Sequence, residues 1–198
     1  MTGVMNYYVQ AIRRFQKLFA RIRKSDLKEP AAVALATADS RGRPSVRMVL
    51  LKEADDRGFV FYTSFQSRKA RQLAVNPHAA LCFYWEPIGM QVTVEGKMAK
   101  VSDQEADAYW VTRPRQSQIG AWASLQSSLL PSRRTLLARA AGYAAKFAGR
   151  PIPRPPHWSG LRIVPDRIEF WTRRPFRLHD RQLYLEQGAR WVLRRLYP

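Results

Sequence analysis

The hydrophobic residues near the N-terminus recur every three or four positions over residues 5–24, a spacing typical of an amphipathic helix. The apolar positions are Tyr8, Ile12, Phe15, Phe19 and Ile22. Arg and Lys occupy the other faces, so the predicted helix has a basic exterior. Glu29-Pro30 ends this region, because the residue before a proline disfavours helical backbone angles.

The next part of the chain consists of short runs that alternate between apolar and polar residues or lie between turn-forming residues, which predicts β-strands. These runs cover residues 31–38, 46–52, 59–63, 79–85 and 91–100. Residues 47–69 are predicted to form a hairpin whose first strand has one apolar face and whose turn contains Asp55, Asp56 and Gly58. Short successive strands joined by turns favour an antiparallel barrel over a layered parallel sheet.

A helical segment follows this first group of strands. Ser102 and Glu105 form a capping box, which predicts a helix over residues 102–112. Arg113-Pro114-Arg115 interrupts it before a shorter helix at 117–124, and a third helix is predicted at 131–148. The C-terminal part returns to strands, at residues 161–164, 167–173, 176–185 and 190–196.

We therefore expect a mainly β (α+β) fold in one domain spanning residues 1–198. Its parts are an N-terminal helix at 1–28, a barrel core at 29–100, a helical segment at 101–150 and completing strands at 160–198. The length suits one domain with one substantial core. No run approaches the roughly 18 apolar residues that cross a membrane, and the N-terminus lacks the features of a secretory signal, so we expect a cytoplasmic protein.

Charge is the strongest compositional signal. The net charge is +19, and most of the 34 basic residues are Arg. This excess predicts a phosphate-bearing partner, but it does not distinguish nucleic acid, a nucleotide cofactor and a phosphorylated metabolite. The single cysteine, Cys82, excludes an internal disulfide framework and a zinc site of several thiolates, so no metal is predicted. The absence of a glycine-rich dinucleotide fingerprint and of a phosphate-loop motif argues against Rossmann and nucleotide-hydrolase folds.

One candidate anion site lies at the start of the short helix predicted after residue 67. Ser67, Arg68 and Lys69 combine a hydroxyl and two cations with the free N–H groups of a helix start, a combination that binds phosphate. The alternative is a hairpin with a solvated basic end.

A second candidate lies at the end of the helix at 102–112. Tyr109 and Arg113 are four residues apart and share a helix face, and Ser117 follows the break. Their hydroxyls and guanidinium could converge on one phosphate. Alternatively, Arg113 is a charge that stabilises a helix C-terminus.

A third candidate lies on the predicted strand 176–185. Arg177, His179 and Arg181 alternate there and so point to one face. An edge strand that displays charge to water is the alternative reading. Trp171, on the preceding strand, is either a core residue or the wall of a cofactor site.

Several sequence motifs occur in this chain in the order in which they occur in a known protein family. They are R-x-V-L-L-K, F-Y-T, S-R-K-A, Q-V-x-V-x-G, Y-x-x-x-R-P-R-x-S-Q-I-G-A-W, Q-S-S, and E-F-W followed by R-L-H-D-R. Over residues 29–198 the chain resembles the pyridoxine (pyridoxamine) 5'-phosphate oxidase family. The resemblance implies an antiparallel split β-barrel with flanking helices, the FMN-binding split-barrel fold, in a homodimer with two FMN molecules at the subunit interface.

The resemblance also implies which residues bind ligands. The expected FMN contacts are Arg47, Met48, Val49, Leu50, Leu51, Lys52, Tyr62, Thr63, Arg68, Lys69, Gln91, Gln126, Ser127, Trp171 and Arg181. By the family's arrangement, Gln126 and Ser127 reach the flavin bound mainly by the other subunit. The expected substrate contacts are Lys52, Tyr109, Arg113 and Ser117 around the phosphate, with Arg177 and His179 over the pyridine ring as the catalytic pair.

The implied reaction oxidises pyridoxine or pyridoxamine 5'-phosphate at C4' with O₂, giving pyridoxal 5'-phosphate and hydrogen peroxide. Arg177 and His179 orient the ring and assist proton loss, and no compulsory general base is assigned. Two departures bear on this reading. The N-terminal segment is short and lacks the basic-aromatic arm that many members fold over the substrate, although Tyr7 and Tyr8 could substitute. Met90 stands before the glutamine, where members often have Arg, and this change could alter a contact near the cofactor.

Three alternatives remain open from the sequence. The first alternative is a related FMN oxidase of the phenazine-pathway type, which acts on another metabolite. A substrate without phosphate would not need the four phosphate-binding side chains expected here. A basic nucleic-acid-binding barrel would explain the charge, yet no strand interleaves aromatic and basic residues into a stacking platform, so no specific nucleic-acid partner is expected. A flavin-binding protein without oxidase activity is the third.

Overall fold

The computed structural model describes residues 6–198, which form five α-helices and one nine-stranded antiparallel sheet. The helices are α1 (Tyr7–Ile22), α2 (Arg68–Val75), α3 (Asp103–Val111), α4 (Arg115–Ala123) and α5 (Arg133–Lys146). The strands are β1 (Ala32–Ala38), β2 (Pro44–Leu50), β3 (Glu53–Asp55), β4 (Gly58–Ser64), β5 (His78–Trp85), β6 (Met90–Lys100), β7 (Trp158–Thr172), β8 (Asp180–Gln187) and β9 (Arg190–Leu196). The predicted mainly β, antiparallel fold with flanking helices is confirmed.

Strand β7 joins the two parts of the sheet. The strand order is β2-β1-β5-β6-β7-β4-β3, and β8 pairs with both β7 and β9. Strand β6 follows one edge of β7, whereas the other edge pairs first with β4, at residues 158–163, and then with β8, at residues 167–172. The sheet therefore divides at the middle of β7, so the N-terminal half of this strand lies next to β4 and the C-terminal half lies next to β8.

Helix α1 packs its apolar face into the core of the sheet. The Phe15 ring lies 4.8 Å from Phe59, 5.1 Å from Phe83 and 5.5 Å from Trp85, centroid to centroid. The helix begins after Asn6, whose side chain accepts a hydrogen bond from the Val9 amide at 3.3 Å. The predicted start at Met5 lies outside the described residues. Within the described residues, no helix is both long and apolar enough to cross a bilayer.

The predicted pairing of residues 46–52 with 59–63 is wrong. Strand β2 pairs with β1 and is the edge of the sheet, while β4 forms the tight hairpin with the short strand β3. The apolar face of β2 also points outward, since Val46 and Met48 are 69% and 62% exposed. The alternation was visible in the sequence, but neither the pairing partner nor the buried side follows from it.

The predicted C-terminal strands also differ from the structure. Residues 161–164 and 167–172 lie in one strand, β7, in which Pro165 pairs with Gly96 and the extra residue Asp166 forms a bulge opposite Glu95/Gly96. Conversely, residues 175–177 form a 3₁₀ turn before β8, with φ of +57° at Phe176 and +62° at Arg177. Arg177 and His179 therefore do not alternate with Arg181 on a strand face, because Pro175 and the left-handed residues delay the start of β8.

A buried ion network attaches α3 to the sheet. The Arg162 guanidinium on β7 is almost fully buried and bonds Asp55 at 2.8 Å and Glu105 at 2.5 Å, with Glu53 at 3.5 Å. These carboxylates belong to β3 and to the first turn of α3. Arg57 contacts the same carboxylates from the surface, where its side chain is 56% exposed.

Replacing Arg162 by Met is expected to lower the free energy of unfolding by about 3–5 kcal/mol, because three partly buried carboxylates lose their buried partner. Arg57→Met is the matched control in the same network, and its exposure limits the expected loss to about 0–1 kcal/mol. Urea unfolding followed by tryptophan fluorescence measures both values. Equal losses for the two variants would show that burial does not control the strength of this network.

Candidate active site

A cleft of about 910 Å³ lies along β2, beside the end of β4 and the start of α2. It is closed on the other side by α3, α4 and the loop after α4. Most of the predicted ligand contacts line it: Arg47, Met48, Val49, Leu50, Lys52, Tyr62, Thr63, Arg68, Lys69, Tyr109, Arg113, Ser117, Gln126 and Ser127. Among the described residues that line this cleft, five are cations and none is Asp or Glu. The donor set therefore suits a ligand with more than one negative charge.

The predicted phosphate seat lies at the start of α2. Ser67 caps the helix by accepting a hydrogen bond from the Ala70 amide at 3.4 Å, and this leaves the positive helix end directed toward the cleft. Lys69 is 8% exposed and donates to the Thr63 hydroxyl at 3.0 Å and to the Ser67 hydroxyl at 3.3 Å. Burial, followed by the charge of Arg47, lowers the pKa of Lys69 to about 8. No carboxylate among residues 6–198 pairs with its charge, so a phosphate would supply the counter-ion.

Arg47 is held by a buried polar network from three elements. Its guanidinium donates to the hydroxyls of Thr37 and Ser45, each at 2.6 Å, and to the Gln72 side-chain oxygen at 3.3 Å. The same Gln72 oxygen accepts from Thr37 at 2.7 Å and from Ser45 at 2.8 Å. These neutral partners fix the guanidinium without cancelling its charge, and burial lowers the pKa of Arg47.

Gln126 lies in the same cleft as the phosphate seat. Its side-chain oxygen accepts from the Thr63 hydroxyl at 3.1 Å and from the Lys69 ammonium at 3.4 Å. Ser127, next to it, adopts a left-handed backbone with φ of +71° and also lines the cleft. The loop after α4 thus brings Gln126 next to β4 and α2 of its own chain, and the expectation that Gln126 and Ser127 reach the flavin bound mainly by the other subunit stays a prediction.

The second predicted phosphate site occupies the other wall of the cleft. The Tyr62 and Tyr109 rings stack 4.0 Å apart, and Ser117 lines the cleft from α4. The Arg113 guanidinium lies 4.5 Å from the centroid of the Trp158 ring. One of its terminal nitrogens is buried without a hydrogen-bond partner, and burial lowers the pKa of Arg113. An unpaired buried donor of this kind suits an anionic ligand.

The remaining predicted site residues form a separate group at the C-terminal end of β7. Gln91, Trp171 and Arg181 are direct neighbours across β6, β7 and β8. The His179 ring lies 4.5 Å from Trp171, and Arg181 bonds Glu169 at 2.7 Å. We call Gln91, Trp171, Arg177, His179 and Arg181 the strand-end group. None of them lines the cleft in the described chain.

The cleft and the strand-end group lie at opposite ends of β7. Trp158, in the cleft, is its first residue, and Trp171 is thirteen residues further on (171 − 158 = 13). At about 3.3 Å per residue, this separation corresponds to roughly 40 Å along the strand. One described chain therefore places the predicted site residues in two separate groups.

Three sequence-based expectations concern residues that lie in the core. Leu51 is buried, so its side chain does not face the cleft. Met90 is also buried within the main hydrophobic core. Tyr7 and Tyr8 pack against that core, with Tyr8 4.9 Å from Trp191, and neither lines the cleft; their role in place of a substrate-covering arm stays a prediction.

Sequence reasoning missed several residues that hold the predicted ligand-binding side chains in place. Ser45 is two residues before Arg47 on the same strand face, so the period of a strand could have identified it. Thr37, Gln72 and Trp158 have no such local signal. Their role depends on β1, α2 and the start of β7 meeting at the cleft.

Comparison with known proteins is consistent with this geometry. Residues 21–147 match a family described as "Pyridoxamine 5'-phosphate oxidase", and residues 158–198 match "Pyridoxine 5'-phosphate oxidase C-terminal dimerisation region". A "Pyridoxine/pyridoxamine 5'-phosphate oxidase" from Myxococcus xanthus is 54% identical over 94% of this chain and 91% of its own length. The protein of the same name from Rhodospirillum rubrum is 56% identical over 86% of this chain and 87% of its own length.

Solved structures share the fold. PhzG from Burkholderia lata 383, in complex with tetrahydrophenazine-1-carboxylic acid, superposes with a TM-score of 0.91 at 34% identity and covers 100% of this chain and 99% of its own. A pyridoxamine 5'-phosphate oxidase-related, FMN binding protein from Nostoc punctiforme superposes with a TM-score of 0.76 at 19% identity, over 94% and 96% of the two chains. The predicted split-barrel fold is thus confirmed. The extent of these matches shows that the chain belongs to the pyridoxamine 5'-phosphate oxidase family.

Proposed function

We propose that this protein is an FMN-dependent oxidase that converts pyridoxine or pyridoxamine 5'-phosphate and O₂ to pyridoxal 5'-phosphate and hydrogen peroxide. The observation that carries the proposal is the cleft with five cations and no carboxylate, in which one wall holds Lys69 and the other holds the unpaired nitrogen of Arg113. Two phosphate groups, one from the cofactor and one from the substrate, would satisfy this arrangement. The relatives that are 50–56% identical carry the name of this activity.

The residues at the start of α2 fit the phosphate of FMN. Arg47, Arg68 and Lys69 would hold it together with the helix N–H groups, and Gln126 and Ser127 would close over it. The exposed Met48 and Leu50 side chains offer apolar surface to the flavin ring. When bound, FMN supplies the redox chemistry by accepting two electrons and passing them to O₂.

The opposite wall fits the phosphate of the substrate. Lys52, Tyr109, Arg113 and Ser117 would bind it, and so would keep the pyridine ring at a fixed distance from this wall. Arg177 and His179 would orient the ring from the other side and assist loss of the proton from the substituent at C4'. The protein therefore contributes position and charge compensation.

The protein is a homodimer, in keeping with the dimerisation region matched by residues 158–198. We propose that FMN lies at its interface, where the strand-end group of one protomer completes the cleft of its partner. Two observations support this arrangement. The cleft and the strand-end group are at opposite ends of β7, and Val46 and Met48 expose an apolar face beside the cleft. A two-fold axis would create two complete sites. The cytoplasmic location stays a prediction from the sequence.

The similarity to PhzG favours one second candidate, an FMN oxidase acting on a carboxylated metabolite. That relative is 34% identical, compared with 50–56% for the curated relatives above. The predicted group of Lys52, Tyr109, Arg113 and Ser117 also provides more donors than a single carboxylate uses.

An absorbance spectrum of the FMN-loaded protein, before and after anaerobic addition of pyridoxine 5'-phosphate, tests the proposed function. We expect the flavin band near ~450 nm to bleach and pyridoxal 5'-phosphate to appear. Unphosphorylated pyridoxine is the control and should bleach the band far more slowly. A bound flavin that stays oxidised would favour the second candidate, and failure to bind FMN would overturn the enzyme assignment.

FMN affinity is expected to fall as the pH rises above about 8. Lys69 has a pKa of about 8 without a ligand, and a bound phosphate dianion stabilises its ammonium form and raises that pKa. Binding is therefore strongest below pH 8 and weakens by up to about tenfold per pH unit above it. Quenching of FMN fluorescence on binding, measured from pH 7 to 9.5, gives the profile.

Two variants distinguish the contribution of Lys69 to FMN binding from that of Arg68. Lys69→Met should bind FMN more weakly at pH 7 and lose this pH dependence, because the titrating ammonium is gone. Arg68→Met is the matched control, which should bind more weakly but retain the slope. A flat profile in the unmodified protein would contradict the assignment of Lys69 to the phosphate seat.

The shared site predicts recovery of activity in mixed dimers. Arg113→Ala damages the cleft and Arg177→Ala damages the strand-end group, so each homodimer should be nearly inactive. When the two variants are co-refolded, half of the dimers are mixed and one of their two sites is intact, which gives roughly a quarter of the normal activity. Activity that stays at the level of the separate variants would show that both groups act within one chain.

A further inference from the structure

Trp158 is a cleft residue outside the set of expected ligand contacts. It is the first residue of β7 and is 5% exposed, yet it contributes to the wall that carries Tyr109 and Arg113. Its indole lies nearly parallel to Tyr62, at 5.3 Å and 13°, and to Tyr109, at 6.2 Å and 7°. These three rings form a layered aromatic wall.

The Arg113 guanidinium makes cation–π contacts with two indole rings at this wall. Its central carbon lies 4.5 Å from the Trp158 ring centroid and 5.2 Å from that of Trp110, within the range of cation–π contacts. Trp110 and Trp158 meet edge to face at 4.9 Å and 68°, so they present two ring faces to one cation. Within residues 6–198, the geometry gives Arg113 no ion pair with a carboxylate.

This mode of attachment leaves the hydrogen-bonding capacity of Arg113 free. A carboxylate partner would occupy two N–H groups and cancel the charge of Arg113. An indole face fixes the plane of the guanidinium but leaves its N–H groups and its charge available. The buried terminal nitrogen without a partner is the visible result. A tetrahedral phosphate entering the cleft would meet a donor that is already oriented and desolvated.

The backbone that carries the Trp158 indole is fixed by strand pairing and hydrogen bonds. Ser64 of β4 stands opposite Trp158, and the neighbouring Phe65 amide donates to the His157 carbonyl at 2.7 Å. Arg154 donates to the Trp158 carbonyl at 2.9 Å. Trp110 is anchored separately, by a 2.7 Å bond from its indole N–H to the Ile152 carbonyl. The cation is therefore held by two rigid groups.

We propose that Trp158 is a positioning residue that holds Arg113 ready for the substrate phosphate, and that it thereby sets the preference of the site for phosphorylated over unphosphorylated ligands. The inference rests on the proposed function, because it takes the phosphate of a pyridine-ring substrate as the ligand of Arg113.

Binding of pyridoxal 5'-phosphate and of unphosphorylated pyridoxal to the FMN-loaded protein, measured by calorimetry, tests this role. Trp158→Leu removes the π face and keeps an apolar side chain, so we expect about tenfold weaker binding of the phosphorylated ligand, equivalent to about 1.4 kcal/mol. Binding of pyridoxal should change by less than about twofold, since Arg113 has no phosphate to contact. Trp158→Phe retains an aromatic face and should recover most of the lost affinity.

Two controls separate positioning from general damage. Trp122 packs against the same apolar cluster as Trp110 and Trp158, but its indole makes no cation–π contact with Arg113. Trp122→Leu should therefore leave the preference for the phosphorylated ligand unchanged. In an Arg113→Ala background, Trp158→Leu should cause no further loss, because the two residues act as one unit.

The outcomes distinguish this inference from the proposed function. The role of Trp158 would be overturned if Trp158→Leu weakened the binding of both ligands equally, or if its effect on binding added fully to that of Arg113→Ala. The proposed function would still stand if the unmodified protein oxidised pyridoxine 5'-phosphate. If the unmodified protein binds FMN but neither binds pyridoxal 5'-phosphate nor oxidises its precursors, the proposed function itself fails.

Discussion

The structure depends on concentrating positive charge in one cleft without neutralising it. Lys69 is held by hydroxyls and an amide, Arg47 by a polar network through Gln72, and Arg113 by two indole faces. Each of these partners orients a cation and leaves its charge available. The lowered pKa of Lys69 shows the electrostatic cost of the arrangement, which the proposed phosphate ligand would offset. Ligand binding and local stability are consequently linked at the same residues.

Strand β7 explains why one chain holds the predicted site residues in two separate groups. It carries Trp158 into the cleft at one end and Trp171 into the strand-end group at the other. On its free edge it pairs with β4 and then with β8, so the strands that hold these groups diverge from its middle. Association of two chains is then a condition for assembling the proposed site as well as a source of stability.

Features set by neighbouring residues could be predicted from the sequence, and features set by distant ones could not. Phe15 followed from helical spacing, and Ser67 to Lys69 followed from the local chemistry of a helix start. The alternation around Arg177 and His179 suggested a strand, but Pro175 and the left-handed backbone at Phe176 produce a turn. The pairing of β2 with β1 and the approach of Trp158 to Arg113 depend on tertiary contacts, which periodicity does not encode.

The outward apolar face of β2 has a consequence for the separated subunits. This strand forms the border of the sheet, and Val46 and Met48 project from it into solvent in an isolated chain. A border strand with unpaired backbone groups and exposed apolar side chains is a template for uncontrolled strand addition. A separated protomer would therefore present an aggregation-prone edge, and in the proposed dimer the partner protects this edge.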